Sequence, residues 1–480
     1  MKLGNLQLYS KGPIHIVGIG GIGMSCLAKL LHQKNIKVQG SDLNNNLQTK
    51  ELRKLGIKVF IRHSHSNVSG CCLVARSSAI SNHNVEIKES TKQGIPVISR
   101  AELLSNILLY SYNICITGAH GKTSTTSYVY SILKSARFNP AIICGGIINS
   151  INSNFSQGDE KIRVVEADES DGTFLILPTN ISIITNIDTE HLDYYGNLSN
   201  MINIYKLFIE KSLFKDLVIA CNYCQNLQTI NQQYLNHKKY ITYGIHSKNS
   251  DISAINLHTV DQGIRFDILL SKKCQQTLNQ TTDIIKQIMI KDYGEHNVLN
   301  SLAAIAVYLF KGGDKALINN ALQLNNSVRR RFTTIGKVKK ITFIDDYAHH
   351  PNEIKATLNV AKVYSDKIGG KIVAIFEPHK YSRFKDLYTQ FLTSFNDADY
   401  LIVLDIYSAG EDLITNITSQ TFSKDIKYNI PSYYCKNHTE VEDKVSSFLN
   451  TECYVVFMGA GNISDIANKV FNNLSATKDC

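Results

Sequence analysis

Proline is scarce, seven in 480 residues, which excludes proline-rich linkers. No apolar run approaches the ~18 residues that a membrane-spanning helix needs. The most apolar early stretch, Ile14 to Leu31, is broken by five glycines or charges. It reads as a nucleotide loop rather than the core of a signal peptide. Internal repeats and a low-complexity tail are also lacking. The only dense basic run, Arg329-Arg330-Arg331, has Phe332 as its sole aromatic neighbour, which argues against a nucleic-acid partner. Eleven cysteines, an odd number without regular spacing, point to free thiols in a reducing cytoplasm. Cys221 and Cys224 form a lone CxxC with no second ligand pair nearby, which argues against zinc.

What is present is an ordinary globular mix, 43% hydrophobic and 19% charged, which excludes a disordered chain. The balance of 51 Lys+Arg against 41 Asp+Glu leaves +10, a charge suited to polyphosphate substrates as well as to nucleic acid. Short apolar strands alternate with helical segments throughout: Ile14 to Val17, Lys37 to Ser41, Cys71 to Ala75 and Pro96 to Ser99, then Ile114 to Thr117, Val164-Val165 and Ile181 to Thr185. After the arginine run come Ile341 to Ile344, Ile372 to Phe376, Leu401 to Leu404 and Tyr454 to Met458. This rhythm predicts doubly wound parallel sheets. The reading is three α/β domains: 1–108, Rossmann-like; 109–325, a central P-loop ATPase-like parallel sheet; and 326–480, again Rossmann-like. The Gln/Asn-rich stretch from Cys221 to Gln287 resists assignment.

Two glycine loops carry the chemistry. Gly18, Gly20, Gly21 and Gly23 satisfy G-x-G-x-x-G between a strand and a helix, where backbone can approach a diphosphate seated on the helix N-terminus. Asp42 ends the next strand, where a Rossmann acid meets a ribose hydroxyl. Taken alone, that loop suggests NAD or another nucleotide diphosphate. The second loop, Gly118-Ala119-His120-Gly121-Lys122-Thr123-Ser124, is a short G-x-x-G-K-T. Its amides can cradle phosphates, Lys122 can reach the β and γ oxygens, and the Thr123 hydroxyl can hold Mg²⁺. Two phosphate loops in one chain imply a ligase or kinase rather than a dehydrogenase.

Carboxylates follow two buried strands: Glu166-Ala167-Asp168-Glu169-Ser170-Asp171, and Asp188-Thr189-Glu190-His191-Leu192-Asp193. Read singly, these are solvated acidic loops; as a set beside a P-loop they favour a metal between phosphoryl oxygens. The last domain places Asp345-Asp346-Tyr347-Ala348-His349-His350 and Glu377-Pro378-His379-Lys380-Tyr381-Ser382-Arg383 at successive strand ends, where doubly wound domains build sites.

The ordered series GIGGIGM, ITGAHGKTSTT, EADESD, TNIDTEHLDYY, EHNVLN, RRF, DDYAHHP and EPHKYSR resembles the Mur ligases, from about residue 14 to the Gly459-Ala460-Gly461-Asn462 loop. The resemblance implies a bacterial cytoplasmic enzyme, monomeric or weakly dimeric, that uses UDP-N-acetylmuramate, ATP and L-alanine. It implies that Gly18, Gly20, Gly21, Gly23, Asp42 and the Ser77-Ser78 loop hold the UDP end. His296 and Asn300 match adenine-holding positions. Thr123 and Glu166 match ligands of one Mg²⁺, and Glu166 with His191 match ligands of a second, with Mn²⁺ as a substitute. Arg331, Asp346, Tyr347, His349, His379 and Arg383 match the residues that close over the phosphates and deliver the amino acid. The reaction implied is activation of a carboxylate as an acyl phosphate, with Lys122, Glu166, His191, His349 and Arg383 at its centre, then attack by a neutral amine with water excluded.

Four positions bear on the family pattern. Ala119 stands for the usual Thr, which spares the backbone amide. Lys380 and Ser382 stand for the usual Arg and Thr, and lysine loses the bidentate fork. Lys206 sits 15 residues after His191, where some relatives carry a carbamylated lysine; here it reads as a surface side chain. The rival readings are a dehydrogenase, which leaves the second loop without a role, a non-catalytic nucleotide- or nucleic-acid-binding protein, and neighbouring ligases. A folylpolyglutamate synthetase would have glycine at position 123. The ligase that attaches a tripeptide to the same sugar would carry an EPRSNT-like final motif.

Overall fold

Strands that are apolar at nearly every position must be covered on both faces, and Ile14–Val17 and Ile181–Ile184, each with a single polar residue (His15 and Ser182), are buried throughout. The computed structural model describes residues 12–77, 79–159, 161–170, 172–323, 328–414, 416–426 and 429–476, the side chains of Leu192 and Asp193 excepted. The chain divides into two compact units, Met1–Ser327 and Val328–Cys480.

The first unit opens with β1 (Ile14–Val17), α1 (Ile22–Gln33), β2 (Val38–Asp42), α2 (Leu47–Lys54), β3 (Lys58–Ile61), β4 (Leu73–Arg76), α3 (Val85–Lys92), β5 (Val97–Ser99) and α4 (Arg100–Leu108). These strands form a parallel sheet in the order β3-β2-β1-β4-β5, with the first glycine loop at the switch point beside β1.

The same unit continues with β6 (Tyr112–Thr117), α5 (Lys122–Ser135), β7 (Ala141–Ile148), β8 (Ser153–Ser156), β9 (Ile162–Glu166), β10 (Ile181–Ile184), α6 (Leu192–Tyr195), α7 (Leu198–Leu213) and β11 (Leu217–Cys221). It ends with α8 (Gln225–Tyr234), β12 (Tyr240–Ile245), β13 (Ile252–Val260), β14 (Gly263–Leu270), α9 (Lys272–Thr277), β15 (Ile284–Ile290), α10 (Glu295–Phe310) and α11 (Ile318–Gln323). Its ten-stranded sheet runs β15-β14-β13-β12-β11-β10-β6-β9-β7-β8. The core is parallel, but β8, β14 and β15 add on antiparallel. The stretch that resisted assignment supplies β12 to β15 with α8 and α9. Its strands were hidden because β13 and β14 alternate buried and exposed positions with polar Asn256, His258, Arg265 and Asp267 on the open face.

Polar contacts tie these two sheets into one unit. Arg100 pairs with Asp168 at 3.0 Å, Ser105 donates to the Ile176 carbonyl at 2.8 Å, and Asn154 donates to the Ile22 carbonyl at 3.1 Å. The expected boundary at 108/109 falls inside this unit, between α4 and β6, and that at 325/326 lies outside the described residues.

The second unit contains β16 (Thr333–Val338), β17 (Ile341–Asp346), α12 (Pro351–Ile368), β18 (Lys371–Phe376), α13 (Tyr381–Asp386), α14 (Tyr388–Phe391), β19 (Tyr400–Val403), α15 (Ser419–Ile426), β20 (Ser432–Tyr434), α16 (His438–Ser446), β21 (Cys453–Met458) and α17 (Ile463–Ala476). Its sheet order is β16-β17-β21-β18-β19-β20, parallel except for the β16 hairpin. One core, rich in Phe376, Phe384, Phe391, Phe395 and Phe422, fills one face of this sheet; Phe343, Phe457 and Val470 help to fill the other. In register, Asp346, Met458 and Phe376 lie side by side, so three loops leave the same sheet edge.

Candidate active site

Strand β6 delivers the second glycine loop, and its two neighbours deliver the acidic loops. Ile116 pairs with Glu166 on β9, and Thr117 with Ile184 on β10. Three sequence motifs thus converge at one sheet edge because their strands are adjacent. Gly118 has φ +132°, and a Cβ there would lie 2.2 Å from Thr185 Oγ1, so only glycine lets the loop pass against β10. Asn186 clamps the loop by accepting from the His120 N–H at 2.8 Å and donating to the His120 carbonyl at 2.9 Å. His120 in turn meets Asp188 at 3.0 Å. Helix α5 begins at Gly121 with no side-chain cap, so its first amides, on Lys122, Thr123 and Ser124, keep the orientation that suits phosphate oxygens. Thr123 is buried in that turn.

Lys122 is the pivot. Its ammonium donates to the carbonyls of Gly118 and Ala119 at 2.6 and 2.9 Å and to Glu169 Oε1 at 2.8 Å. Burial works against its charge, but Glu169, Glu166 and Glu190 together hold its pKa above the ordinary lysine value. Burial pushes the Glu169 carboxyl up to about 7 despite the pull of Lys122. His191 has φ +58° and turns Nε2 to 3.6 Å from Glu169 Oε1 and 3.9 Å from Glu190 Oε2. Glu169, Glu190 and His191 offer donor atoms all within 4.8 Å of one another. Glu166 instead accepts from the Gly145 N–H at 2.8 Å and from Cys144 Sγ at 3.2 Å. The structure therefore brings His191 to Glu169 and Glu190, two members of the acidic runs that the family match did not single out as ligands. Their signal was present: Glu169 stands three residues after Glu166 on the same acidic loop, and Glu190 precedes His191.

Of the two adenine candidates, Asn300 reaches the loop. Its Oδ1 accepts from Thr125 Oγ1 at 2.9 Å and would lie 2.8 Å from a Cβ on Gly121. His296 is exposed in the first turn of α10, whose N-cap, Gly294, likewise offers no side-chain cap. Lys206 is half-buried on α7.

The first glycine loop is held differently. The Ser41 carbonyl accepts from the N–H groups of Gly18 at 2.8 Å and Ile19 at 3.0 Å. Asp42 Oδ2 accepts from Gly20 N–H at 2.9 Å, and its Oδ1 from Asn44 N–H at 3.0 Å. Asp42, read from sequence as a ribose contact, thus fastens the loop. A Cβ on Gly20 would lie 2.8 Å from Asp42 Oδ2 and 2.9 Å from Thr49 Cγ2. Gly21 is the N-cap of α1, again without a side-chain cap, and Gly23 follows in the first turn beside Arg100. The first amides of α1 are thus left without a side-chain cap, an arrangement that suits an anion. Ser77 donates its N–H to the Val17 carbonyl at 3.2 Å and packs against Gly18; Ser78 lies outside the described residues.

In the second unit, Asp346 is buried, and burial pushes its carboxyl up to about 6. It accepts from the N–H groups of Phe332 and Ala348 at 2.6 and 2.8 Å, knitting the arginine run to the Tyr347–His349 loop. Arg331 lies 3.7 Å from Glu353 and 5.5 Å from the Tyr347 ring centroid. His349 Nδ1 faces the Tyr347 carbonyl at 3.0 Å and Glu353 at 3.2 Å. His379 stacks on Tyr407, meets the His349 ring at 6.0 Å between centroids, and faces Arg383 Nη1 at 3.2 Å. Burial, then the neighbouring His349 and Arg383, depress its pKa to about 3, so the imidazole is neutral at physiological pH. Tyr347, His349, His379 and Arg383 thus form one cluster. Glu377 belongs beneath it: it accepts from Ile463 N–H at 3.3 Å, and burial pushes it up to about 7.

The two glycine-loop sheets of the first unit and the α/β sheet of the second are the parts of a nucleotide-using ligase, and comparison makes the class specific. The Mur ligase family catalytic domain matches residues 13–112, the Mur ligase middle domain 116–308, and the Mur ligase glutamate ligase domain 330–461. The chain belongs to the Mur ligase family. It is similar to UDP-N-acetylmuramate–L-alanine ligase of Rickettsia felis, 42% identical over 466 residues covering 96% of each chain. Among solved structures it resembles the UDP-N-acetylmuramate–alanine ligase of Thermotoga maritima, with TM-score 0.80, 28% identity, and 97% of this chain and 99% of that one covered. It shares its fold with the murein peptide ligase of Psychrobacter arcticus, with TM-score 0.69, 20% identity and coverage of 97% and 99%.

Proposed function

We propose that this chain is an ATP-dependent amide ligase that joins L-alanine to the lactyl carboxylate of UDP-N-acetylmuramate, releasing ADP and phosphate in a cytoplasmic step of bacterial peptidoglycan synthesis. The observation that carries the reading is a lysine-bearing phosphate loop with Glu169, Glu190 and His191 gathered at one sheet edge, in a unit that also carries a second glycine loop. A single-nucleotide enzyme would need only one such loop. The full-length likeness to the Rickettsia felis ligase supports alanine as the amine.

The residues divide the work. The amides of α1 and the Gly18–Gly23 loop take the diphosphate of the UDP-sugar, and those of α5 take the ATP phosphates. Lys122, held protonated, meets charge that grows on the transferred phosphoryl oxygens. Glu169 Oε2 is buried and accepts no hydrogen bond from the described residues, and with Glu190 and His191 it makes an oxygen-rich donor set with one imidazole, which fits Mg²⁺ or Mn²⁺. In this reading two ions are held by Thr123, Glu166, Glu169, Glu190 and His191, and they would supply charge neutralisation between carboxylate substrate and phosphates. Transfer of the terminal phosphoryl group to the lactyl carboxylate makes an acyl phosphate and ADP. The neutral alanine amine then attacks the acyl carbon, a C–N bond forms, phosphate leaves, and the amine gives up a proton. His379, neutral, can sit beside an uncharged amine without repelling it, while Arg383 offers its guanidinium to a carboxylate or phosphate.

Among the described residues, no helix is long and apolar enough to cross a membrane. A monomer or weak homodimer with no nucleic-acid partner completes the proposal. The test is phosphate release and mass spectrometry of product with ATP, UDP-N-acetylmuramate and each amino acid, then with alanine and the tripeptide L-Ala-γ-D-Glu-diaminopimelate together. Alanine-dependent release and an alanyl product are expected; preferential ligation of the tripeptide overturns the reading.

A further inference from the structure

A buried polar cluster lies beneath the first glycine loop and has no part in the chemistry above. Glu86, in the first turn of α3, has no exposed surface. Its Oε1 accepts from Asn67 Nδ2 at 2.6 Å and from the Ser64 N–H at 3.2 Å. Its Oε2 accepts from the Ser41 hydroxyl at 2.5 Å and faces His63 Nδ1 at 3.2 Å and His15 Nε2 at 3.3 Å. A serine, a histidine and a carboxylate in mutual reach suggest a hydrolytic triad, but Ser41 is fully buried and spends its proton on the carboxylate. Ser41, Glu86 and His15 are all fully buried and cannot meet a substrate.

What it can do is set the end of β2. Residue 41 is the one whose carbonyl holds Gly18 and Ile19, and residue 42 is the one whose carboxylate holds Gly20. Three consecutive amides of the loop therefore hang on two residues, and the side chain of the first is moored to Glu86. A carboxylate suits this mooring because both oxygens face donors, and a charge-assisted bond is stiffer than a neutral one.

We propose that Glu86, acting through Ser41, is a positioning residue for the UDP-N-acetylmuramate site: it holds the first glycine loop in the shape that receives the diphosphate. This rests on the reading that the UDP end binds at that loop.

The test is calorimetric binding of UDP-N-acetylmuramate and of ATP, with steady-state kinetics, for wild type, Ser41→Ala, Glu86→Gln and the double variant. Ser41→Ala removes only the link between anchor and strand. It should weaken UDP-N-acetylmuramate about tenfold, in Kd and KM, the size expected for a lost hydrogen bond to a buried charge. ATP affinity and kcat should stay within about twofold, because the second loop is untouched. The double variant should be no worse than the weaker single variant, since both cut one link. Unchanged UDP-N-acetylmuramate affinity in folded Ser41→Ala, equal losses for both ligands, or multiplicative losses in the double variant would each overturn the inference. Should Glu86→Gln fail to fold, Ser41→Ala alone decides. Wild-type protein that binds ATP but no UDP-N-acetylmuramate overturns the underlying reading of the loop instead.

Discussion

The two glycine loops of the first unit share a plan and differ in what balances them. Both follow a buried strand, both open an uncapped helix, and both have glycine at the N-cap. The first contains no cation, and its amides are tied down by the Ser41 carbonyl and the Asp42 carboxylate. The second contains Lys122, which is tied to Glu169 and to the loop's own carbonyls. A diphosphate that is only held needs fixed dipoles. A phosphoryl group that moves needs a full charge whose partner can change, and that is the lesson of the difference.

Removing the cation should separate the loops most sharply. Lys122→Ala is expected to lower ATP turnover at least ~10³-fold, about 4 kcal/mol, while UDP-N-acetylmuramate binding by calorimetry stays intact. Loss of both ligands in a folded variant would erase the distinction. Next in size are the carboxylates. Glu166→Ala and Glu169→Gln should each cost ~10² in kcat with smaller effects on ATP affinity, and His191→Ala less. Near-wild-type rates at saturating Mg²⁺ for one carboxylate would assign the metal to the other.

The first loop should fail differently. Gly20→Ala forces a Cβ to within 2.8 Å of Asp42 Oδ2, so the KM for UDP-N-acetylmuramate should rise roughly tenfold with the ATP KM unchanged. Its anchor also has a pH signature. Burial alone would raise the Glu86 carboxyl, but the neighbouring His15 ring and hydrogen bonds from Ser41 and Asn67 overturn that and pull it from 4.5 to about 2. A carboxyl depressed on folding stabilises above its unfolded pKa and loses that contribution as pH falls through the folded one. The stability advantage of wild type over Glu86→Gln, read by urea unfolding, should therefore be full above about pH 4.5 and shrink as pH falls toward 2. The smallest effects belong to the second unit. Arg383→Lys should raise the alanine KM several-fold through loss of the planar fork, and Lys380→Arg should be neutral or mildly favourable in the same assay.

Much of this protein was legible without a structure. The strands that carry the motifs were recognisable because parallel strands covered on both faces need continuous apolar runs, and the loops because glycine next to lysine and threonine between a strand and a helix has few other uses. The β12–β15 region was not, because its outer strands are half-exposed and polar on one face. The same limit applied to roles within the site. By itself the sequence determined the α/β class, the two phosphate loops and the acidic runs, since these depend on residue type and short-range spacing. Only the tertiary structure decided that His191 meets Glu169 and Glu190 while Glu166 is held by Gly145, that Asp42 and Asp346 are spent on backbone amides, and that Glu86 underpins a loop more than 60 residues earlier in the chain. The reason is geometric: which face of a loop a carboxylate turns to, and which donors await it there, follow from strand order and register, which bring together residues that no local pattern relates.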